Sequence, residues 1–507
     1  MYSFKLVPHI GHLYSSVIAD TLKRYYALKG FEASLTTGTD EHGLKIQQAA
    51  VKNNCTPIEL CDRVSNSFKK LCDKANIDYT TFMRTTEPRH AKAVQHLWNI
   101  LLKEGYIYKG QHEGWYAVSD EAFYPENQVT KIKGDEDNNN PQEEKMVAIE
   151  SGQPVEWMVE ENYKFKLSAF QKPLLDWIHN NPQAIVPSNR KNEVVSWIEA
   201  GLEDLSISRL RSRLDWGIPV PNDPEQHTIY VWLDALTNYI TAKGYPSNSK
   251  DINAKVHVVG KDILRFHAVY WPAFLMAAKL PLPEQILAHA HWTMNKSKMS
   301  KSKGNVADPF LAMDTFGVDA VRYYLMKDGG FADDGDYSEE ELKKRYKKDL
   351  AGQLGNLLNR SIGKSLNPMN QLTTTALTEV DKRDQVLHDK LVSASSLFDS
   401  YFEEREFSKA LNVVMDILSE ANKYFTDNEP WNLKQDQERL NTVLYYSLES
   451  CRISGILLQP IMPTKMKELL NRLGVPENER SLPFATTLTK ESRSLGPLTK
   501  NVLFPKL

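Results

Sequence analysis

Cysteine is scarce in this 507-residue chain: Cys55, Cys61, Cys72 and Cys451 are the only four, and no two form a C-x-x-C pair. That argues against a zinc knuckle and against a disulfide framework, and suits a reducing compartment. No run of about 18 apolar residues occurs, so nothing in the sequence reads as a membrane-spanning helix. An excess of one charge is missing too. Sixty-two Lys and Arg against 65 Asp and Glu give a formal net charge of −3, so any nucleic-acid surface must be a local patch. Lys5 is the only basic residue before Pro8, so the start shows neither a signal peptide nor an Arg-rich presequence.

What is present is the composition of a soluble globular protein, 41% hydrophobic and 25% charged. The length is too great for one core and implies about two to four domains.

Two short stretches carry chemistry. The first is Pro8-His9-Ile10-Gly11-His12. An apolar segment (Phe4, Leu6, Val7) leads into it and an amphipathic pattern (Leu13, Val17, Ile18, Leu22, Tyr25, Tyr26) leads out. That is the strand–turn–helix opening where a doubly wound sheet holds its nucleotide. His9 and His12 share a helical face and can donate N–H groups to phosphate at the positive end of the helix dipole, while Gly11 leaves room for a flat base. The second stretch is Lys298-Met299-Ser300-Lys301-Ser302, inside a run of four lysines ended by Gly304. Such a cationic loop can close over a triphosphate and neutralise the charge that grows on leaving pyrophosphate. Taken singly, each stretch reads more readily as the start of a surface helix or as a solvated basic loop.

Taken together, and in this order, they resemble the signature pair of class I aminoacyl-tRNA synthetases. Gly38-Thr39-Asp40-Glu41-His42-Gly43, Tyr230-Val231-Trp232-Leu233-Asp234-Ala235 and Gly260-Lys261-Asp262-Ile263 narrow the resemblance to the methionyl-tRNA synthetases, nearest the mitochondrial and bacterial forms. The resemblance implies an α/β fold. A Rossmann-type, doubly wound parallel sheet is split by a connective insertion and followed by an all-α anticodon-binding bundle. It implies methionine, ATP with Mg²⁺ and tRNA(Met) as substrates. No zinc is expected, since the cysteine ligands some relatives carry in the insertion are missing.

It also implies site residues. Asp40 would hold the substrate α-ammonium and pair with Arg209. Trp232, Ala235, Tyr239, Ile263 and His267 would line the methionine side-chain slot, a fitting lining for a polarisable thioether. Pro8, His9, Gly11, His12, Gly260, Asp262, His289, Lys298 and Lys301 would border ATP, with His9, His12, Lys298 and Lys301 stabilising the reacting phosphates. Asn356, Arg360 and Trp431 would read the anticodon. From the residues alone, Asp40 reads as a cap for a helix near His42, and Trp232, Tyr239, Asn356, Arg360 and Trp431 read as structural.

Along the chain, alternating elements over 1–104 form the first half of the catalytic domain, with a strand over Phe31–Thr37 and helices over Leu60–Ala75 and Glu87–Gly105. The insertion covers 105–212, with short strands around Tyr106, Tyr108, Trp115 and Tyr116, and an exposed acidic loop over 134–144. The second catalytic half covers 213–305, with strands over Thr228–Leu233, His257–Gly260 and Leu287–His291. A bridge over 306–345 leads into the bundle through the basic run Lys343–Lys348, either a solvated helix face or a phosphate contact. Residues 346–507 form the bundle, with apolar helix stripes at Leu387, Leu391, Leu397 and Phe398, and at Leu411, Val414, Ile417 and Leu418.

Family members carry a longer first strand, with Tyr-x-Asn where this chain has Ser3 and Lys5. A start at Met1 would therefore imply impaired adenylation, and the alternative to a working ligase is a tRNA-binding product disabled by that shortened strand. Synthetases for branched-chain amino acids are longer, those for cysteine use zinc, and small nucleotidyltransferases lack the bundle. By resemblance the compartment is the mitochondrial matrix, with the cytoplasm as the alternative, and the expected state is a monomer.

Overall fold

The computed structural model describes residues 8–117, 122–124, 126–133, 144–149, 151–248, 252, 254–294, 297–298, 307–374, 380–497 and 501–507. Its contacts divide it into two compact units: one holds Thr36–Lys70 and Tyr79–Ala290 with Pro8, the other His9–Leu35, Leu71–Asp78 and His291–Leu507.

The first unit carries parallel strands. Thr36–Thr39 pairs with Thr81–Arg84, and Val256–Gly260 pairs with Gln285–His289, which also takes Ile185–Val186 on its other edge. Every residue of Gln285–His289 is buried, as expected for a strand with both faces covered. Helices Leu44–Lys52 and Pro88–Lys103 accompany the first pair. An antiparallel sheet interrupts the series: Ile107–Ala117 pairs along its length with Glu156–Phe165, flanked by Ala122–Tyr124 and Leu205–Ser206. The strand is longer than the separate short ones the aromatics suggest, because Gly110 and Gly114 sit inside a continuous ladder and do not end it. Of the acidic loop, residues 134–143 lie outside the described residues. Helices Gln171–Asn180 and Ser188–Glu199 bury Trp177, Ile178, Val194 and Ile198 in the unit's core, around Trp98, Phe165, Trp271 and Phe274.

Two sequence expectations shift. The strand expected over Phe31–Thr37 starts at Thr36, because Phe31 closes the preceding helix: Gly30 has φ 90°, and Phe31 N–H returns to Tyr26 O at 3.0 Å. The strand expected over Thr228–Leu233 is His227–Ile229, and a helix, Val231–Thr241, begins at once. An apolar run this short cannot distinguish a buried strand from a buried helix.

The second unit is mostly helical. Ile10–Leu28 opens it, and Pro309–Phe316 and Val318–Asp328 follow a small sheet in which Trp292–Met294 lies between Ser297–Lys298 and Gly335–Asp336. One helical rod then runs from Glu339 to Ser361, wound i→i+5 over Tyr346–Gly355, with Lys343–Lys348 on it. Gln385–Glu403, Phe407–Asp427, Gln437–Leu458 and Pro463–Arg472 complete the unit. Leu387, Leu391, Phe398, Leu411, Val414, Ile417 and Leu418 are buried as the stripes predict; Leu397, next to Phe398, is instead 46% exposed. Within Gln437–Leu458 every residue from Thr442 to Leu458 is buried, so this is the bundle's central helix.

Arg322, fully buried, joins distant parts of this unit. Its guanidinium donates to the Asp20 carboxylate, to Ala75 O (3.2 Å), to Pro460 O (3.1 Å) and to Ile461 O (2.8 Å).

Candidate functional site

The histidine turn is the start of Ile10–Leu28. His9 is its N-cap: His9 Nδ1 accepts Gly11 N–H at 3.2 Å, and His12 Nδ1 accepts His9 N–H at 3.2 Å, a reciprocal cap made by two imidazoles. The rings stack with centroids 3.7 Å apart. Since each Nδ1 accepts a backbone proton, a neutral ring carries its own proton on Nε2, the edge turned from the backbone. Both histidines are thus presented as Nε2–H donors. A Cβ on Gly11 would stand 3.1 Å from the His9 ring, so the glycine admits the ring that makes the cap.

Both flanks of the lysine stretch come to this same helix. Trp292 meets Tyr14 edge-on at 5.8 Å, and Thr293 pairs with Lys298 across two antiparallel strands. Beyond the stretch, Ala307 O accepts Ile10 N–H at 3.3 Å. The Tyr14 hydroxyl donates to Gly330 O. Lys301 lies outside the described residues, as does the side chain of Lys298.

In the first unit, Trp232, Ala235 and Tyr239 fall three and seven residues apart on Val231–Thr241, hence on one face. His267 meets them: its Nε2 accepts from the Tyr239 hydroxyl at 2.7 Å, and its Nδ1–H donates to Ile263 O at 2.9 Å. Those bonds select the Nδ1–H tautomer. Burial agrees, pushing the His267 imidazole down to about 3, so it is neutral at physiological pH. Trp232 stands edge-on to His267 at 6.3 Å. All five expected slot residues are thereby brought together. Burial, and then the charge of Asp40, raise the Tyr239 phenol above its usual range, so Asp40 acts electrostatically on the slot.

Asp40 follows the Thr36–Thr39 strand, at the carboxyl end where open α/β sheets bind ligands. It is not a helix cap: the next helix starts at Leu44, with Gly43 as its N-cap. The loop is anchored by Glu41, fully buried, whose carboxylate takes Arg84 Nε at 2.8 Å and the Thr86 hydroxyl at 2.6 Å, and whose N–H donates to Thr85 Oγ1 at 2.9 Å. Arg209 is buried, donates to Ser206 Oγ and Ser208 O, and lies over the rings of Tyr230 (4.7 Å) and Tyr116 (5.3 Å). A surface arginine would do none of this. Gly260 and His289 are register partners at the carboxyl ends of adjacent parallel strands, and Asp262 is in the turn that follows Gly260.

In the second unit, Asn356 and Arg360 are one turn apart on Asn356–Ser361. The Arg360 guanidinium lies 4.3 Å over Phe425 and 5.9 Å from the centre of the Trp431 ring, which is 44% exposed. Arg360, Trp431, Phe425, Asn359 and Lys434 line an open cavity of about 380 Å³. Sequence reasoning missed Asn359, Phe425 and Lys434. It also missed Phe266, stacked on Trp232 at 3.7 Å, and His257, 4.1 Å from Tyr239. Phe266 adjoins His267, the one signal that could have found it.

Comparison with known proteins gives the family. The family model for tRNA synthetases class I (M) matches residues 2–362, and that for the anticodon binding domain of methionyl tRNA ligase matches 375–507. A probable mitochondrial methionine–tRNA ligase of Dictyostelium discoideum is 47% identical over 497 residues, covering 94% of this chain and 85% of the relative. The human mitochondrial methionine–tRNA ligase is 44% identical, covering 99% and 88%. A crystal structure of Mycobacterium tuberculosis methionyl-tRNA synthetase bound by methionyl-adenylate superposes with a TM-score of 0.91 at 38% identity, covering 98% of this chain and 97% of that one. With a family model over most of its length and relatives this similar, the chain belongs to the methionyl class I tRNA synthetases, with a Rossmann-type catalytic fold and a helical anticodon domain.

Proposed function

We propose that this methionine–tRNA ligase divides its work among the residues above as follows. A carboxylate oxygen of methionine attacks the α-phosphorus of ATP, carried with Mg²⁺ as the substrate complex. The bond to the bridging oxygen breaks, and pyrophosphate leaves. The attacking group is already an anion, so no general base is needed. The protein positions reactants and stabilises charge. Asp40, paired with Arg209, takes the α-ammonium. Trp232, Ala235, Tyr239, Ile263 and His267 take the thioether side chain, to which His267 presents a neutral imidazole. Gly260, Asp262 and His289 border ribose and base. His9 and His12 donate Nε2–H to the phosphates, and Lys298 and Lys301 neutralise the departing pyrophosphate. The terminal ribose hydroxyl of tRNA then attacks the acyl carbon and releases AMP.

Asn356, Arg360 and Trp431 hold the anticodon, by stacking and by hydrogen bonds to exposed base edges. The division into 1–104, 105–212, 213–305, 306–345 and 346–507 follows these roles. The mitochondrial relatives favour the mitochondrial matrix over the cytoplasm, and a monomer suffices for every step.

The observation that carries the reading is the meeting of Tyr239, Ile263, His267 and Trp232 around one neutral imidazole. The test is methionine-dependent exchange of pyrophosphate into ATP, run beside leucine and cysteine, followed by charging of tRNA(Met). Exchange with leucine or cysteine at the methionine rate would sink it.

A further inference from the structure

Asp234 is the only carboxylate on Val231–Thr241 and is wholly buried. By helical geometry it lies roughly 200° around the axis from Trp232, on the face turned from the slot. It accepts from two elements at once: Oδ2 takes His42 Nδ1 at 2.6 Å, and Oδ1 takes His90 Nε2 at 2.8 Å. His90, also buried, reaches Thr241 Oγ1 through Nδ1 at 3.0 Å, so it grips the same rear face near both ends.

His42 belongs to the other end of the methionine site, two residues after Asp40. Its loop is clamped by Trp216, which receives Gly43 N–H on its carbonyl at 3.1 Å, donates Nε1–H to Glu41 O at 2.6 Å and sets its ring edge-on to His42 at 5.5 Å. Burial lowers His42, but the Asp234 carboxylate, and then Glu41, outweigh it and hold the imidazole above its usual value. The bond is therefore charge-assisted, short and directional. Apolar packing alone, as with a leucine at this position, would bury the helix as well but would not fix it to the loop.

We propose that Asp234 is a positioning residue that sets the span between the Asp40 carboxylate and the Trp232–Ala235–Tyr239 face. It thereby makes the enzyme require an α-ammonium and a thioether side chain in one ligand. This rests on the roles given above to Asp40 and to the slot residues.

Methionine and its analogue without the amino group, 4-(methylthio)butanoate, separate the two claims in equilibrium binding to the full chain. The wild type prefers methionine; equal affinity would overturn the role of Asp40, and this proposal with it. Asp234→Asn and His42→Ala should cut that preference by about tenfold, the order expected when one charged hydrogen bond loses its alignment. The analogue should bind as before, and KM for ATP should not move. His42→Asn keeps an N–H at the reach of Nδ1 and should restore most of the preference. If Asp234→Asn does not fold, the His42 pair decides alone. Variants that weaken both ligands equally, or that only lower the melting temperature with the preference intact, would overturn the proposal and leave Asp234 a purely structural group.

Discussion

The slot around His267 and the patch around Trp431, to which we assign the thioether and the anticodon, are built in opposite ways. His267 is buried, with both ring nitrogens committed, to Tyr239 and to Ile263. Trp431 is nearly half exposed and meets Arg360 only over its ring face. A small side chain offers few atoms, so its binding energy comes from complete desolvation in a preformed site. An anticodon base brings its own large surface, so the protein need only present a π-face and a guanidinium that a base can stack upon. On this assignment one region gains its specificity by being closed, the other by being open.

Lys301→Ala sets the scale for both regions: loss of the charge we assign to the leaving pyrophosphate should slow adenylate formation on the order of 10²–10³-fold. Single-turnover kinetics should show that drop with methionine affinity nearly unchanged; an equal loss of methionine affinity would count against the role. Trp431→Ala should raise KM for tRNA by roughly 5- to 150-fold, the equivalent of about 1–3 kcal/mol for one lost stacking platform, while pyrophosphate exchange stays at the wild-type rate. A fall in exchange would break the comparison, because the open region would then be acting on the closed one. Tyr239→Phe leaves His267 Nε2 without its donor and should raise KM for methionine by about fivefold, near 1 kcal/mol, without affecting KM for tRNA. The remaining effect is on stability and not on activity. The His267 value in the folded chain, about 3, lies below its unfolded value of about 6.5, so the unfolded chain binds the extra proton between them. Folding stability contributed there is complete above pH ~6.5 and is lost as the pH falls toward 3. Urea titrations should show that slope flattened in His267→Gln, with no matching change for a substitution at Trp431.

The closed and open regions also differ in how readily the sequence shows them. The first helix was legible because its apolar positions repeat on one face, and Leu13, Val17, Ile18, Leu22 and Tyr25 are all buried as that pattern requires. The Asn356–Arg360 pair was legible from its one-turn spacing. The helix bearing Trp232 was not. It is buried on nearly every side, so it has no polar face to set a period, and it reads as the end of a strand. His42, His90 and Asp234 stand far apart in sequence, and no local rule connects them; only the fold makes them neighbours. His257 was missed for a related reason, since a single histidine on the buried side of a strand has the same signature whether it packs or serves a ligand.

Arg322 bears on how this kind of chain can be cut or shuffled. Its positive charge is satisfied by Asp20 near the beginning of the chain and by the carbonyls of Pro460 and Ile461 near its end. A fragment stopping before those carbonyls would retain an ion pair stripped of half its acceptors, directly behind the helix that begins with the histidine turn. Each lost hydrogen bond to this charged donor costs on the order of 1.5–3 kcal/mol. The terminal helices are accordingly not detachable at no cost: evolution or an engineer that deletes them would have to re-solvate a guanidinium held against the helix that begins at the histidine turn.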